Sequence, residues 1–349
     1  MPRIASLALV LAGLTALLAV ALTALPTGRG EASATTPGAA GRDKSVVLAF
    51  GGDVHFEGAL ESKLAVDPAG VLAPIEPVLD DADLAVVNLE SAITTGGSPV
   101  AKQFTFSAPP AAFVALREGG VDVASMANNH GLDYGEAGLR DSLAAARRHR
   151  FPVIGVGLDG KSAYRPFRRT INGQRIAVLG ATQVIDDELI SAWTAGPNKP
   201  GLASAKDVPR LLQEVRLARK SSDTVVVFLH WGVELEQCPT RNQRTLARQL
   251  VAAGADVVVG GHAHRLLGAG RMGAALVAYG LGNFVWYGTS ELSTQTGVLF
   301  VTVRGRKVSS YRWVPARIVD GVPRALTGDA RRSELESWRS LRRCTGLEP

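Results

Sequence analysis

A chain of 349 residues that is 46% hydrophobic and 20% charged can bury a full core, which excludes a largely disordered protein. Its 38 Lys and Arg outnumber its 32 Asp and Glu, but the basic residues are scattered, so the net charge of +6 does not predict a nucleic-acid-binding protein. Two cysteines without CxxC spacing exclude a disulfide-rich scaffold.

The first 30 residues predict contact with a membrane. Arg3 precedes an uncharged run from Ile4 to Leu25, and about 22 residues are enough to cross a bilayer as a helix. Ala32-Ser-Ala34 resembles a signal-peptidase site, so residues 1–30 are predicted to be either a cleaved signal peptide or a retained membrane anchor. Both alternatives place the protein at the extracytoplasmic face of the membrane or outside the cell. Residues 31–44, rich in Ala, Thr and Gly, are predicted to be a flexible linker.

Residues 45–319 are predicted to form one α/β domain. Apolar, β-branched runs alternate with segments of helical Ala/Leu/Arg periodicity, a pattern typical of a largely parallel sheet. The predicted strands are Val46–Phe50, Leu84–Val87, Val121–Ser125, Ile176–Leu179, Val225–Leu229 and Val257–Val259. The clearest predicted helices are Glu136–His149, Val208–Lys220 and Gln243–Ala253.

The pattern changes in the last quarter of the chain. Three apolar segments without intervening helices, Leu276–Tyr279, Gly297–Val303 and Val308–Val314, predict antiparallel strands and a second, mixed sheet. Arg304-Gly-Arg-Lys307 suits a hairpin turn between the last two. Residues 320–349 are predicted to be a C-terminal tail that consists of a loop, a short helix through Trp338 and a polar end.

Side chains that bind metals come directly after the predicted strands. Five of the six histidines lie there, together with carboxylates and amides. Because the carboxyl ends of parallel strands meet at one edge of a sheet, these side chains are expected to converge. The sixth histidine, His149, lies among arginines at a helix end and is predicted to be solvated.

This set of side chains predicts a centre for two divalent metal ions. Imidazoles and carboxylates without a thiolate suit Mn, Fe or catalytic Zn. Seven ligands exceed what one ion needs and suit two ions that share a bridging carboxylate and activate a water. The polar side chains at the strand ends are Asp53, His55, Asn88, Glu90, Asn128, Asn129, His130, His230, His262 and His264.

The motifs around these ligands resemble the CapA family of poly-γ-glutamate capsule synthesis proteins, within the calcineurin-like metallophosphoesterase superfamily. The resemblance covers about residues 46–290. It implies an α/β fold of four layers, an α/β/β/α sandwich with two mixed sheets, preceded here by the N-terminal hydrophobic segment. The motifs are Gly52-Asp53, Asn88-Leu-Glu90, Ala127-Asn-Asn-His130, Asp133-Tyr-Gly135, His230-Trp-Gly-Val-Glu234, Gly254-Ala-Asp256, Gly261-His-Ala-His264 and Tyr279-Gly-Leu-Gly-Asn-Phe284.

The resemblance also implies a division of the ligands between two ions, with Glu90 as the bridge. Glu90 replaces the usual bridging aspartate, so Asn88 is an alternative ligand. One ion would be held by Asp53, His55 and His264, and the other by Asn129, His230 and His262.

His130 is implied to be a catalytic residue that orients substrate and protonates or stabilises the leaving group. The acidic residue that usually follows the Asn-His pair is replaced here by Gly131. Asp133, two residues further on, is therefore expected to orient His130 instead.

Four residues outside the ligand set carry further predictions. Arg265 and Asn283 are predicted to bind an anionic substrate, with a solvated loop arginine and a turn amide as the alternatives. Cys238 lies in the loop after His230 and Cys344 lies in the tail. In an exported protein their pairing is the simplest use, and it would tie the tail to the loop of the site.

The sequence therefore predicts an exported, hydrolase-like protein with two metal ions that acts in synthesis, export or processing of poly-γ-glutamate or a similar anionic envelope polymer. Expected partners are that polymer, capsule or envelope synthesis proteins, and the membrane through the N-terminal segment. The alternative is a non-catalytic accessory or polymer-binding subunit of a capsule synthesis machine. A nucleic-acid phosphodiesterase would need clustered basic residues beside the site, so no nucleic acid is expected.

Overall fold

The computed structural model describes residues 44–349. The predicted signal peptide or anchor at residues 1–30, and the linker up to residue 43, lie outside the described residues. Within residues 44–349, no helix combines the length and the apolar composition that crossing a bilayer requires.

The described residues form eighteen strands and ten α-helices. The strands are β1 (Val46–Val54), β2 (Leu84–Leu89), β3 (Ala92–Ile93), β4 (Ser107–Ala108), β5 (Val123–Ser125), β6 (Val153–Ile154), β7 (Val156–Gly157), β8 (Phe167–Ile171), β9 (Gln174–Thr182), β10 (Gly201–Leu202), β11 (Thr224–His230), β12 (Val257–Gly261), β13 (Ala269–Met272), β14 (Ala275–Ala278), β15 (Asn283–Val285), β16 (Gln295–Arg304), β17 (Lys307–Val319) and β18 (Val322–Ala325). The helices are α1 (Ala59–Val66), α2 (Glu76–Leu79), α3 (Ala112–Glu118), α4 (Gly135–Arg148), α5 (Gly160–Ala163), α6 (Ile190–Trp193), α7 (Val208–Ser221), α8 (Arg241–Ala253), α9 (Glu291–Thr294) and α10 (Gly328–Ser340).

The first sheet is built around β1. Its strand order is β18-β17-β16-β1-β2-β5-β6, and β15 also pairs with β1. β2, β5 and β6 follow helical connections and run parallel to β1, whereas β16 is antiparallel to β1, and hairpins join β16 to β17 and β17 to β18. β16 pairs with β1 as far as Phe50, and β15 pairs with it from Asp53 onward. β1 therefore changes its hydrogen-bonding partner a few residues before its carboxyl end.

The second sheet has the strand order β13-β14-β12-β11-β9-β8. Its four central strands are parallel, because α7 and α8 connect β9 to β11 and β11 to β12, and the edge strands β8 and β13 are antiparallel. The register aligns His230 with Thr182 on one side and Gly261 on the other. The carboxyl ends of three strands thus lie at one level.

Three apolar clusters define the layers. Between the sheets, Leu48 and Phe50 of β1 pack in one cluster with Val226 and Phe228 of β11. The other face of the first sheet packs with α1, α3 and α4, and the other face of the second packs with α7 and α8. The structure is therefore a mixed α/β fold with two mixed sheets face to face and helices outside each, the order that the resemblance implied.

The three clearest helix predictions are confirmed within two residues at each end, as α4, α7 and α8. α8 ends where it was predicted to end but begins two residues earlier, at Arg241. Thr240 and Gln243 form a capping box at its start, and Gly254, at φ 112°, ends it in the left-handed conformation.

The predicted hairpin of the last two strands through Arg304-Gly-Arg-Lys307 is confirmed, but the sheet predicted for these strands is wrong. β16 and β17 lie in the first sheet, where β16 pairs directly with β1. β14 does lie in the mixed second sheet, but it runs parallel to β12, and its antiparallel neighbour β13 was not predicted. Alternation of apolar residues predicts that a strand exists but not which strand it joins.

The loop predicted at the start of the tail is also wrong in part. β18 occupies it and extends the first sheet by pairing with β17. The predicted helix through Trp338 is present as α10, and its indole stacks on Trp313 of β17 with ring centroids 5.3 Å apart. Residues beyond 319 therefore pack as part of the domain.

Candidate metal centre

The predicted ligands converge where the carboxyl ends of the two sheets meet. The first sheet brings Asp53 at the end of β1 and Glu90 directly after β2, and both side chains are fully buried. The second sheet brings His230 as the last residue of β11 and two imidazoles in the loop after β12. Of those two, His262 is 5% exposed, and the side chain of His264 is 15% exposed.

Glu90 lies at the centre of this group. Its Oε1 is 3.3 Å from Nε2 of His230, 3.9 Å from Nε2 of His130 and 4.0 Å from Nε2 of His264. Nothing in residues 44–349 donates a hydrogen bond to this oxygen. A buried carboxylate oxygen left without a partner is unfavourable, whereas a cation beside it would be stabilised.

The donor atoms form two groups that share Glu90. One contains Asp53, Glu90 and His230, the other contains Glu90, His262 and His264, and within each the ligand atoms lie within 4.8 Å of one another. A shared carboxylate fits the bridging role. The grouping differs from the division that the resemblance implied, because Asp53 falls with His230 and His262 falls with His264. Which ion each ligand would bind stays a prediction.

The residues fit divalent cations. Two of the buried atoms without a hydrogen-bond partner, Glu90 Oε1 and His262 Nδ1, belong to these groups. Nitrogen and oxygen donors without sulfur suit the metals predicted from the sequence, Mn, Fe or Zn.

His55 differs from the other predicted ligands. Its Nδ1 accepts a hydrogen bond from the backbone N–H of Glu57 at 3.1 Å, so a neutral ring carries its proton on Nε2. Its ring lies 5.0 Å from that of Phe106 and 4.0 Å from that of Trp286, and it belongs to neither donor group. His55 is therefore beside the centre and outside both donor groups, and its Nε2 is buried without a hydrogen-bond partner in residues 44–349.

Burial sets the charge of the groups in the centre. It lowers the pKa of His230 to about 3 and the pKa of His262 to about 2, so both rings are neutral, the form that binds metal. Burial also lowers the pKa of His264, but Glu90 and Asp53 outweigh it and the pKa is raised overall. Burial and the neighbouring Glu90 raise the pKa of Asp53 to about 6.

Asn88 links ligands from both sheets. Its Nδ2 donates to Asp53 Oδ1 at 2.9 Å and lies 3.2 Å from His230 Nδ1. Its Oδ1 accepts from Asn128 Nδ2 at 3.0 Å, so the oxygen that would compete as a ligand is turned away. The next residue after Asn128 is Asn129, whose Oδ1 lies 2.8 Å from His230 Nε2. The structure therefore brings together these two predicted ligands of one ion.

His130 is held by the acid that was expected to orient it. Its Nδ1 lies 2.6 Å from Asp133 Oδ2, which leaves Nε2 on the side of Glu90. The backbone N–H of Phe106 donates to the same oxygen at 2.7 Å, and the Phe106 ring stacks on His130 with centroids 4.2 Å apart. The imidazole therefore has one defined orientation.

The loop after β12 has an unusual backbone. His262 and His264 have φ values of 90° and 53°, in the left-handed region that few residues other than glycine adopt. The backbone N–H of His262 donates to Asp53 Oδ2 at 2.9 Å. A Cβ on Gly261 would lie 2.3 Å from Asp53 Oδ1, so only glycine permits this approach. Asp53 of the first sheet thus anchors the loop of the second.

The two predicted substrate-binding residues make different contacts. Asn283 is fully buried, and its Oδ1 is 2.9 Å from His264 Nδ1, which fixes that imidazole with Nε2 towards Glu90. Arg265 donates to the backbone carbonyl of Leu235 at 2.9 Å. The Asn283 amide therefore contacts a donor-group imidazole and the Arg265 guanidinium contacts the loop after β11, and substrate binding by either residue stays a prediction.

Cys238 and Cys344 form a disulfide, with Cα atoms 5.7 Å apart. It is the pairing expected of an exported protein, and it joins the loop after β11 to the tail. The same loop reaches the other histidine loop, because the backbone N–H of Leu235 donates to the carbonyl of Ala263 at 2.9 Å.

Sequence reasoning missed several residues around the centre. Trp286 and Tyr287 lie beside His55, and Trp286 is also 4.5 Å from the His264 ring; their place directly after the Asn283 motif was the only signal. Phe106 and Lys102 lie between two short strands without periodicity, where the sequence gives no such signal. Lys102 Nζ donates to Asp133 Oδ1 at 2.8 Å and to the carbonyl of Asn129.

Two solved structures share this architecture. A hypothetical protein from Thermus thermophilus superposes with a TM-score of 0.51 at 17% identity, over 78% of this chain and all of that one (100%). A protein described as a novel phosphatase, from Mycoplasma pneumoniae, gives 0.50 at 16% identity, over 78% of this chain and 94% of that one. At this level of identity the two likenesses show the class of fold alone.

Within that class, residues 47–287 match the family described as bacterial capsule synthesis protein PGA_cap, and the chain belongs to this family. It is 31% identical over 249 residues to the capsule biosynthesis protein CapA of Bacillus anthracis, across 70% of this chain and 58% of that protein. It is 30% identical over 251 residues to the PGA biosynthesis protein CapA of Bacillus subtilis (strain 168), across 70% and 64%. A probable polyglutamine synthesis accessory protein of Mycobacterium tuberculosis is 28% identical over 193 residues, across 52% and 50%. The chain thus matches less than two thirds of the length of these relatives.

Proposed function

We propose that this protein is an exported, metal-dependent hydrolase of the CapA type that acts in synthesis, export or processing of poly-γ-glutamate or a similar anionic envelope polymer. The observation that carries the proposal is Glu90 Oε1, which is buried, accepts no hydrogen bond and lies within 4.0 Å of three imidazole Nε2 atoms. The Bacillus relatives, named for capsule and PGA biosynthesis, supply the substrate class.

The residues of the centre divide the chemical work. Two divalent ions, when bound by the groups that share Glu90, would polarise a substrate oxygen and activate a water. His130, whose Nδ1 is held by Asp133 Oδ2 at 2.6 Å, would in its doubly protonated form donate the Nε2 proton to the leaving group and return to the neutral ring. Phe106 and Trp286, each 8% exposed, shield the centre from bulk water. The bond cleaved is proposed to be a phosphoester or an amide of a γ-linked glutamate chain.

Export is part of the proposal. The Cys238–Cys344 disulfide supports it, since such bonds persist in oxidising compartments, and the uncharged run from Ile4 to Leu25 supplies a means. The protein is placed at the extracytoplasmic face of the membrane or outside the cell, with envelope synthesis proteins as partners. Protease added to intact cells should digest the protein if this is right, and complete protection until lysis would contradict it.

The second candidate is a non-catalytic accessory subunit that keeps metals for structure. The nearly complete burial of the donor groups favours it, since Asp53, Glu90 and His230 are at most 1% exposed. The Mycobacterium tuberculosis relative also carries the word accessory in its name.

One experiment separates the two candidates. The purified protein is analysed for bound metals and assayed on aryl phosphoesters and on poly-γ-glutamate. His130→Ala should abolish turnover while metal content and fold stay unchanged, and His149→Ala, at the partly buried end of α4 and outside both donor groups, should retain full activity. If cells carrying His130→Ala make polymer at the wild-type level, the hydrolase proposal fails and the accessory candidate stands.

A further inference from the structure

Lys102 is a buried lysine beside the metal centre. Its side chain is 9% exposed, and its ammonium donates to Asp133 Oδ1 at 2.8 Å and to the backbone carbonyl of Asn129. Nζ also lies 5.1 Å from the centroid of the Trp193 ring. A buried ammonium is tolerated only where its charge is paired and its protons are bonded, and these three contacts meet that requirement.

Asp133 is the acceptor on which the contacts converge. Oδ2 accepts from His130 Nδ1 at 2.6 Å and from Phe106 N at 2.7 Å, while Oδ1 accepts from Lys102. Bonds on both oxygens fix the rotation of the carboxylate, so the imidazole bonded to it has a single orientation.

Lys102 and Phe106 belong to one segment, residues 100–106, that wraps around Asp133. The backbone N–H of Val100 donates to the carbonyl of Asp133 at 2.8 Å, so the segment holds the main chain of Asp133 as well as its side chain. Phe106 covers one face of the His130 ring. The ammonium is the one part of this segment that also touches Asn129, a predicted metal ligand.

We infer that Lys102 is a positioning residue for the proton transfer assigned to His130. It fixes the rotation of the Asp133 carboxylate, so that the His130 imidazole bonded to it presents Nε2 to the centre in one arrangement. The inference rests on the proposed hydrolytic function. It predicts that Lys102 acts through His130 and not through metal binding.

The kinetic test uses Lys102→Met with Lys206→Met as the matched control, a lysine that is 34% exposed and paired with Asp187 at the surface. Lys102→Met should lower kcat about 10- to 100-fold, the usual effect of losing a partner that orients a site residue, with KM and metal content unchanged. Lys102→Arg should restore most of the loss, and Lys206→Met should change nothing. In the His130→Ala background, Lys102→Met should cause no further loss of residual activity, because the group it positions is absent.

A second readout needs no turnover. NMR of the metal-free protein with isotope-labelled histidine should show a proton on His130 Nδ1 that is protected from exchange, assigned by its absence in His130→Ala. Lys102→Met should broaden or remove this signal, and Lys206→Met should keep it. Lys102→Gln gives the same comparison if Lys102→Met does not fold.

The outcomes separate the inference from the function on which it rests. Loss of the NMR signal in Lys102→Met, with a wild-type protein that turns over none of the substrates, would retain the positioning role and remove the hydrolase proposal. An unchanged signal together with unchanged kcat, or a full second loss of activity in the His130→Ala background, would overturn the inference.

Discussion

The two sheets bring different chemistry to the same centre. The first supplies both carboxylates of the donor groups, Asp53 and Glu90, and the second supplies their three imidazoles. Each donor group contains members from both sheets, so neither sheet holds a complete site alone. The centre is therefore formed at the interface between the two sheets, and any change that separates the sheets should weaken metal binding.

The sheets also hold their ligands in different ways. On the first, amide side chains such as Asn88 and Asn128 form a hydrogen-bonded network behind the carboxylates. On the second, the backbone of the histidine loop is bent and the neighbouring loop is joined to the tail by a disulfide. Substitutions in the two sheets should therefore change metal affinity and stability in different ways. The four substitutions below run from the packing between the sheets to a single hydrogen bond at one ligand.

The largest effect is expected from Phe228→Ala, since Phe228 is fully buried between the sheets two residues before His230. It should lower the free energy of unfolding by about 3–5 kcal/mol and weaken metal binding as well. Phe113→Ala in the outer cluster of the first sheet is the matched control, with a similar loss of stability and no change in metal affinity. Denaturant unfolding and metal titration measure both quantities. Equal metal affinity in the two variants would contradict an interface centre.

The next effect is expected from replacing both cysteines by serine. Loss of the Cys238–Cys344 bond should lower the free energy of unfolding by about 2–4 kcal/mol. Wild-type protein in reductant is the internal control and should become as unstable as the double variant. A double variant that unfolds at the wild-type midpoint under oxidising conditions would show that the bond does not stabilise the second sheet.

Glu90→Gln should weaken metal binding at least about 100-fold, or about 2.7 kcal/mol, because a direct ligand is worth no less than the groups that orient one. Without metal, the same substitution should stabilise the fold. Metal-free Glu90→Gln should unfold at a higher temperature than metal-free wild type, because a buried carboxylate whose Oε1 accepts no hydrogen bond is replaced by a neutral amide. Glu136→Gln, exposed on α4, is the control for both measurements. A lower melting temperature in the metal-free variant would refute this account of Glu90.

The smallest effect is expected from Asn283→Ala, which removes the acceptor at His264 Nδ1. Metal affinity should fall about 10- to 100-fold, or about 1.4–2.7 kcal/mol, with little change in fold. Asn242→Ala, at the exposed start of α8, serves as the control. If metal affinity is unchanged, Asn283 is better described as a turn residue, the alternative given above.

The parts of the site that could be predicted from sequence are those fixed by the ends of parallel strands. Asp53, Glu90, His230, His262 and His264 each follow a β-branched run, and sheet geometry alone brings such positions together. The helices could be predicted because caps such as Thr240 and Gly254 act locally. The α/β/β/α order of layers was predicted only from the family resemblance. Periodicity alone placed β16 in the wrong sheet.

The remainder depends on contacts between residues distant in sequence. Lys102 lies in an irregular segment, and only folding brings it to Asp133. The state of His55 depends on a hydrogen bond from Glu57 and on rings from two other segments. Asn283 was recognised as a polar residue near the centre, but its burial behind His264 follows from the pairing of β15 with β1.

The bent backbone of the His262–His264 loop has a consequence for how the centre acquires its ions. Backbone strain of this kind costs about 1–3 kcal/mol per residue, and here it is overcome during folding, by the hydrogen bond from His262 to Asp53 and the room that Gly261 leaves. Because contacts within the protein hold this loop, ion binding should require little further loss of conformational entropy. A His-Ala-His loop transplanted to a scaffold without a counterpart of Asp53 would lack this preorganisation and should bind metal far more weakly.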